Sequence, residues 1–435
     1  MGPSFRRLWL GQSVSLLGSQ LALLALPLIA VVQLHASVES IGGLTLVGYL
    51  PFLLLSVPIG SWVDRWPRRP VLVGTNLARA AVVGVVALLA SEGRLRMADL
   101  YVMSVVTGVL GLMFVVAFRA VIPDLIDRDS MVAAQSRLTG SQTAASIVGP
   151  GLGGVLIAAF SAPVALVLDA ASFVVAAVVA RGVTPVGSEA MGAGTSVDGG
   201  GDPAGSRSAG GGNGHGRGRW LEGLRTINRE PALRMVAAEG AIANLCGTMV
   251  GTLFIVFAVR VLSLGAPALG VVMAAGGVGA LAGATGAGRL GKRFGTGHSC
   301  LVALALADIS LLALPAIRGH GTVAVVGLLA AVSIVGGGAT TVFEVHTSAL
   351  TYDATPPDLH GRIQAGLRFV GSFGLVGGAV LGGVLGQVLG VRVALLVAAA
   401  IGLCHWPVVL RSPLNTSKPN DVEESVVAVV EGVSA

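Results

Sequence analysis

"GSWVDRWPRR" (Gly60–Arg69) holds four charged side chains, Asp64, Arg65, Arg68 and Arg69, within ten residues. The chain as a whole is only 11% charged. Long runs of Leu, Val, Ala and Gly flank this stretch on both sides. Arginine concentrated in a short connection between two apolar segments marks an aqueous boundary. Lys and Arg accumulate in the cytoplasmic connections of membrane proteins and set their orientation.

Composition supports that reading. The 435 residues are 54% apolar with a mean hydropathy of +0.83. Soluble domains are roughly 45–50% apolar and about 25% charged. Repeated apolar runs of about 20 residues fit membrane helices, and the alternating pattern of a membrane barrel is absent. The 64 glycines fall mostly inside these runs without a three-residue period, where small residues let helices approach closely. The net charge of +6 is scattered between apolar segments, which argues against nucleic acid as a partner. Cys246, Cys300 and Cys404 are isolated, with neither metal spacing nor a disulfide framework. Arg6 and Arg7 precede an apolar run that continues to about Leu34, too long for a signal-peptide core and therefore a retained first span.

Twelve spans are expected, at 10–34, 41–63, 71–90, 99–121, 133–158, 163–182, 233–257, 267–290, 299–317, 322–345, 362–388 and 391–410. Between the sixth and seventh lies "SVDGGGDPAGSRSAGGGNGHGRGR" (Ser196–Arg219), whose composition is that of a flexible linker. "WLEGLRTIN" after it reads as a short interfacial helix. The expected organisation is a six-helix unit over 1–184, a cytoplasmic linker over 185–219, a second six-helix unit over 220–411 and a cytoplasmic tail over 412–435. With both termini inside, the inner connections and tails hold 19 of the 28 Lys and Arg and the outer connections five. That bias sets the expected topology.

The halves repeat. A shift of 229 places "GPGLGGVL" (Gly149–Leu156) on "GAVLGGVL" (Gly378–Leu385), and "DLIDRDSMVAAQ" from Asp124 on "DATPPDLHGRIQ" from Asp353. A shift of 228 places "GSWVDRW" on "GRLGKRF" (Gly288–Phe294). Internal repeats of this kind are typical of secondary transporters, with the substrate path at the interface of the halves.

On these residues the chain resembles the major facilitator superfamily over nearly its whole length. Gly60, Asp64, Arg65, Arg68 and Arg69 match that family's loop signature, G-x-x-x-D-R-x-x-R-R, with Pro67 where a Gly is common. "FRAVIPDLIDRDSMVAAQS" and "TPPDLHGRIQA" further resemble the exporter branch that includes siderophore and macrolide efflux proteins. The resemblance implies an all-α membrane protein with twelve transmembrane helices in two pseudo-repeated halves. It also implies that Asp64 faces the start of span eleven near Gly361–Arg362. There a carboxylate meets the positive end of a helix dipole, and Arg65 can hold it by a charge-assisted bond. That clasp would tie the halves together on the inside. The simpler alternative is that the arginines only fix topology at the lipid surface.

Gly149, Pro150, Gly153 and Gly154 match the core of the family's antiporter signature in span five, G-P-x-x-G-G. Pro150 removes a backbone donor and bends the helix; the glycines allow a close crossing. The signature goes with export in exchange for protons, and ordinary small-residue packing is the alternative.

Ionisable groups inside spans are costly and default to functional candidates. Asp169, Glu239, Asp308 and Glu344 qualify. The resemblance puts spans one, four, seven and ten around the cavity, which favours Glu239 and Glu344; Asp308 is deepest by residue count but lies on an outer helix, and Asp169 resembles a position often polar in the exporter branch, which favours packing over transport. Glu344 is expected to pair with Arg119 or His346, and Arg119 is also the nearest expected partner of Glu239. Many proton-coupled exporters carry an arginine in the middle of span four, and Ser104–Val116 has none. Gln12, Gln20, Gln33 and Asn244 are candidate substrate hydrogen-bonders or helix-packing groups. Structural ion pairs remain the alternative for each acid. No Walker loop, dinucleotide loop or catalytic triad is present.

The expectation is therefore a monomeric, multi-pass transporter of a bacterial inner membrane, not an enzyme, with no cofactor and no metal. It exports a small, partly apolar molecule such as an antibiotic, siderophore or metabolite, with protons as the coupling ion. Uptake by the same fold, or a receptor or scaffold that does not transport, are the alternatives.

Overall fold

The computed structural model describes residues 3–63, 65–126, 130–182, 225–319, 323–355 and 359–410. Asp64, the whole of the expected linker 185–219 and the tail from residue 411 lie outside them. The described residues form twelve helices long and apolar enough to cross a membrane. They are α1 (Pro3–Val32), α2 (Val38–Val63), α3 (Arg68–Ser91), α4 (Met97–Leu125), α5 (Met131–Ala159) and α6 (Ala162–Arg181), followed by α7 (Pro231–Val256), α8 (Ala266–Phe294), α9 (Thr296–Ala316), α10 (Val323–Asp353), α11 (His360–Val388) and α12 (Val391–Gly402). A π-helical turn, Phe257–Val261, extends α7, and a 3-10 turn, Leu403–His405, joins α12 to a short helix at Trp406–Leu410.

The helix starts follow proline chemistry. Pro70 lies in the first turn of α3, and Pro163, Pro231 and Pro267 stand at the first or second position of α6, α7 and α8. A missing N–H costs nothing there. Gly295 (φ 82°) turns α8 into α9 and Gly390 (φ 83°) turns α11 into α12, a conformation disfavoured for any residue with a Cβ. Large apolar side chains such as Leu54, Val85, Val102, Val178 and Ile309 stand exposed on the bundle. In water such a surface would be an association hazard; in a bilayer it is the lipid-facing face.

The largest boundary differences from the sequence reading are at two helix ends. α1 begins seven residues before the expected limit and α10 runs eight residues beyond it, because polar residues at helix ends extend past the apolar window. The last span covers the expected 391–410, with a 3-10 turn at Leu403–His405 inside it. Within the expected interfacial segment, the described residues 225–229 are helical.

Within the first six helices α1 packs on α5 and α6, α2 on α4, and α3 on α4 and α6. Within the second six α7 packs on α11 and α12, and α8 and α9 pack on α10. The main contacts between the two sets are α2 with α11 and α5 with α8. Glycine makes both crossings. A Cβ on Gly154 would meet the Ala266 carbonyl oxygen at 2.7 Å and Gly270 Cα at 3.0 Å. A Cβ on Gly42 would meet the Ala379 carbonyl oxygen at 2.8 Å and would collide with Gly383 Cα. A shift of 228 carries Gly42 onto Gly270, and a shift of 229 carries Gly154 onto Gly383. The two crossings are thus copies of one contact, used once in each direction.

Both crossings lie toward the end of the bundle formed by the 1–2, 5–6, 7–8 and 11–12 connections. There the π turn of α7 aims Arg260 across the interface, where Nη2 donates to the Ala36 carbonyl at 2.6 Å. The opposite end carries the arginine-rich 2–3 connection and is called the basic end below.

Candidate functional site

The chain places its buried acids inside each half rather than on one shared surface. In the carboxy-terminal half, Asp308 stands near the middle of α9 and is buried. Its Oδ2 accepts a hydrogen bond from Trp406 Nε1 at 2.7 Å and lies 3.2 Å from His405 Nε2. His405 ends the 3-10 turn Leu403–His405 and Trp406 opens the short helix after it, and both rings reach one carboxylate oxygen. Gly402 lies beside this cluster, and a Cβ there would make ordinary contact with Asp308 Oδ1 at 3.6 Å.

Glu239 on α7 is also buried, at 8% exposure, and no described residue donates a hydrogen bond to it. It is close enough to His405 and Glu344 to feel their charge, and Cys300 on α9 feels the charge of Glu239. The expected partner was Arg119. The structure instead turns Glu239 into its own half, while Arg119, exposed on α4, comes within electrostatic reach of Arg368 on α11. Helix adjacency counted from sequence does not say which face a residue takes.

Glu344 is exposed on α10, nine residues before the end of that helix, and forms no ion pair with Arg119 or His346. His346, two residues on, is buried with its imidazole against Gly291 of α8. Asn244 Nδ2 donates to the Gly371 carbonyl at 3.3 Å and so joins α7 to α11. Gln20 packs on Gly149 between α1 and α5. Gln33 lines a cleft among α1, α3 and α6.

In the amino-terminal half, Asp169 on α6 is 2% exposed and faces Arg79 on α3, with the Ser19 and Ser172 hydroxyls beside it. The Arg79 guanidinium stacks 4.0 Å over the Phe173 ring. Of the loop arginines, Arg68 pairs with Asp124 and donates to the Ala120 carbonyl at 2.8 Å, pinning the connection to the end of α4. Arg65 and Arg69 are exposed. Of the antiporter-type residues, Gly154 forms the α5–α8 crossing, Pro150 presents its carbonyl oxygen to Gly270, and Gly153 packs on Leu21 and Leu24 of α1.

Sequence reasoning missed His405, Trp406 and the reach of Arg260. The signal for the first two was "GLCHWP", the polar and proline-bearing interruption of an otherwise apolar last span. Among the described residues, no three His, Cys, Asp or Glu side chains converge as a metal set.

The fold and sequence have known counterparts. By structure, the chain is similar to a bacterial homologue of the iron transporter ferroportin in an inward-facing state (TM-score 0.73, 16% identity, 94% of this chain and 99% of the other). It is also similar to the nucleoside transporter NupG (TM-score 0.71, 11% identity, 96% and 100%). By sequence, it is 30% identical over 168 residues to an uncharacterized MFS-type transporter, YfiS, of Bacillus subtilis, covering 39% of each chain. It is 23% identical over 174 residues to macrolide efflux protein A of Streptococcus pyogenes, covering 40% of this chain and 43% of the other. The matches thus span about two fifths of the curated relatives. The model of the Major Facilitator Superfamily matches residues 8–345 and 240–432. With twelve membrane-length helices and a family model matched over nearly its whole length, the chain belongs to the major facilitator superfamily and is a multi-pass membrane protein.

Proposed function

We propose that this chain exports a small, partly apolar molecule from a bacterial cell in exchange for protons. The observation that carries the reading is the placement of the antiporter-type run. Gly154 and the Pro150 carbonyl form the α5–α8 crossing, so this segment sits where the two halves meet and limits how far they can rock. The partial similarity to macrolide efflux protein A supports export of an antibiotic-like molecule.

In this reading the units 1–184 and 220–411 move as two bodies. They are joined by the linker 185–219, and the tail 412–435 and both termini lie in the cytoplasm, as the positive charge at the basic end favours. The glycine crossings and the Arg260–Ala36 bond then close the outer side, and the form described opens inward. In the outward-open form Asp64, with Gly60 and Arg65, clasps the start of α11 at the basic end. Arg68 and Arg69 hold the connection at the lipid surface. Arg119 and Glu344 lie on α4 and α10, two of the helices that surround the path, and a single chain suffices for the cycle.

Energised inside-out membrane vesicles test the proposal against a panel of macrolides, other antibiotics and siderophores. Accumulation driven by an imposed pH gradient, and abolished when the gradient is dissipated, is expected for at least one compound. Movement in the opposite sense would make the protein an uptake carrier. Transport indifferent to the gradient would remove protons from the cycle. Asp64→Asn should insert normally and lose transport, since it removes the charge that the clasp needs.

A further inference from the structure

We propose that the groove between α3 and α4 at the basic end is a site for one anionic phospholipid, with an acyl chain in the groove and the phosphate against Arg65 and Arg69. The inference stands apart from the direction of transport and from the coupling ion. The groove has a volume of about 300 Å³ and is lined by Trp66 and Pro67 of the connection, Pro70 and Gly74 of α3, and Leu110 and Met113 of α4. It reaches from the connection to Gly74, six residues or about 9 Å into α3. Gly74 keeps it open, since a Cβ there would meet no atom within 4 Å. The walls offer no polar partner. Thr75 is buried among them, and its hydroxyl donates to the Val71 carbonyl of its own helix at 2.7 Å. In a bilayer the partner available to such walls is a hydrocarbon chain.

The mouth of the groove has the opposite character. Arg65 N–H and Trp66 N–H donate to the Trp62 and Val63 carbonyls at 3.1 Å each and turn the chain at the end of α2. Arg68 pairs with Asp124 and donates to the Ala120 carbonyl, which fastens the start of α3 to the end of α4. Arg65 directly precedes Trp66 and Arg69 directly precedes Pro70, so both cations stand at the mouth, and both are exposed. Among the described residues no carboxylate pairs with either. Trp62 and Trp66 are exposed beside them, as aromatic side chains are at the level of lipid head groups. Basic pockets between membrane helices bind anionic head groups. A head group that carries its own ammonium brings a like charge to these arginines, so the mouth favours one of net negative charge. Arginines that only mark topology need neither a groove beneath them nor a head-group preference.

Brominated lipids test the site in the full-length protein. The protein is reconstituted in phosphatidylcholine vesicles, and part of the lipid is replaced by dibrominated phosphatidylglycerol or, as the reference, dibrominated phosphatidylcholine. Bromine on an acyl chain quenches a nearby indole, and the Trp66 signal is the difference between the parent and Trp66→Phe. Quenching by the phosphatidylglycerol should saturate at a low fraction of the lipid, whereas quenching by the phosphatidylcholine should rise with its fraction. Each of the two arginines should contribute roughly fivefold to the preference, so Arg65→Gln combined with Arg69→Gln should remove it.

Gly74→Phe should fill the groove and lower the quenching of Trp66 by both lipids. Its thermal unfolding in detergent should match the parent, because the new side chain enters open space. Where that variant fails to fold, the double arginine change, at exposed positions, decides alone. Inorganic phosphate at millimolar concentration should leave the quenching unchanged. Equal quenching by the two lipids, a preference that survives the double arginine change, or a parental response in folded Gly74→Phe overturns the site and leaves only unselective boundary lipid. Displacement by inorganic phosphate would show that the arginines read a free anion, and would overturn it too.

Discussion

Each half of the transporter buries a carboxylate between its two outer helices, and the halves balance it differently. Between α3 and α6, Asp169 faces Arg79, a permanent cation stacked on Phe173. Between α9 and α12, Asp308 faces His405, a cation only when protonated. The sites are related by the repeat, since a shift of 229 carries Arg79 onto Asp308. The acid and its partner have therefore changed sides. An arginine keeps its charge at any physiological pH, whereas a histidine changes charge near neutrality. One half sets its buried carboxylate within electrostatic reach of an arginine, without an ion pair between them, and the other bonds its carboxylate to an imidazole and an indole.

The amino-terminal half gives the largest expected effect. Arg79→Leu leaves Asp169 buried without its cation, and removing one partner of a buried pair costs about 3–5 kcal/mol. Thermal unfolding in detergent should show this loss, and the double change Arg79→Leu with Asp169→Leu should recover much of it. If the single variant is as stable as the parent, the pair is not what balances Asp169. The other half should respond differently. His405→Leu leaves Asp308 with the Trp406 indole N–H as its donor, so the loss should be smaller than that of Arg79→Leu. An equal loss would make the two halves alike after all.

The crossings between the halves come next. Gly270→Leu drives a side chain into the Pro150 carbonyl and Gly154, and overpacking of this kind costs about 1–3 kcal/mol. Because the contact exists only where the halves close, the cost should fall on one conformer. The variant should insert, lose transport and expose cysteines placed beside the crossing at the outer end. Gly383→Leu, its counterpart in the repeat, should do the same through α2. A difference between them would show that the two copies do not close together.

Arg260→Met removes a charged donor from the Ala36 carbonyl, a bond worth about 1.5–3 kcal/mol. It should shift the same cysteine accessibility in the same direction, but less. The smallest effect is expected from Arg68→Ala. Its pair with Asp124 is exposed, and exposed pairs contribute about 0–1 kcal/mol. Detergent stability should barely move, and a large loss would mean that the Ala120 carbonyl bond organises the connection.

Much of this molecule is written locally. A run of apolar residues near 20 long must become a helix in a bilayer, because no water is there to satisfy the backbone. The twelve spans and the arginine-rich connection therefore followed from composition and spacing. So did the repeat that relates Gly42 to Gly270 and Gly154 to Gly383, although not the fact that these glycines meet. What a linear pattern does not carry is the direction in which a buried side chain points. Glu239 is six or seven residues into its span whichever way α7 is rotated, and only packing turned it from Arg119 toward His405. His405 and Trp406 sit about a hundred residues from Asp308 and reach it from a 3-10 turn and the short helix after it, which apolar content did not foretell. Burial depth is set by the hydrophobic effect acting on whole segments, and so it can be read from the chain. Polar pairing inside the bundle depends on rotations of a few tens of degrees between packed helices, and only the assembled structure decides those.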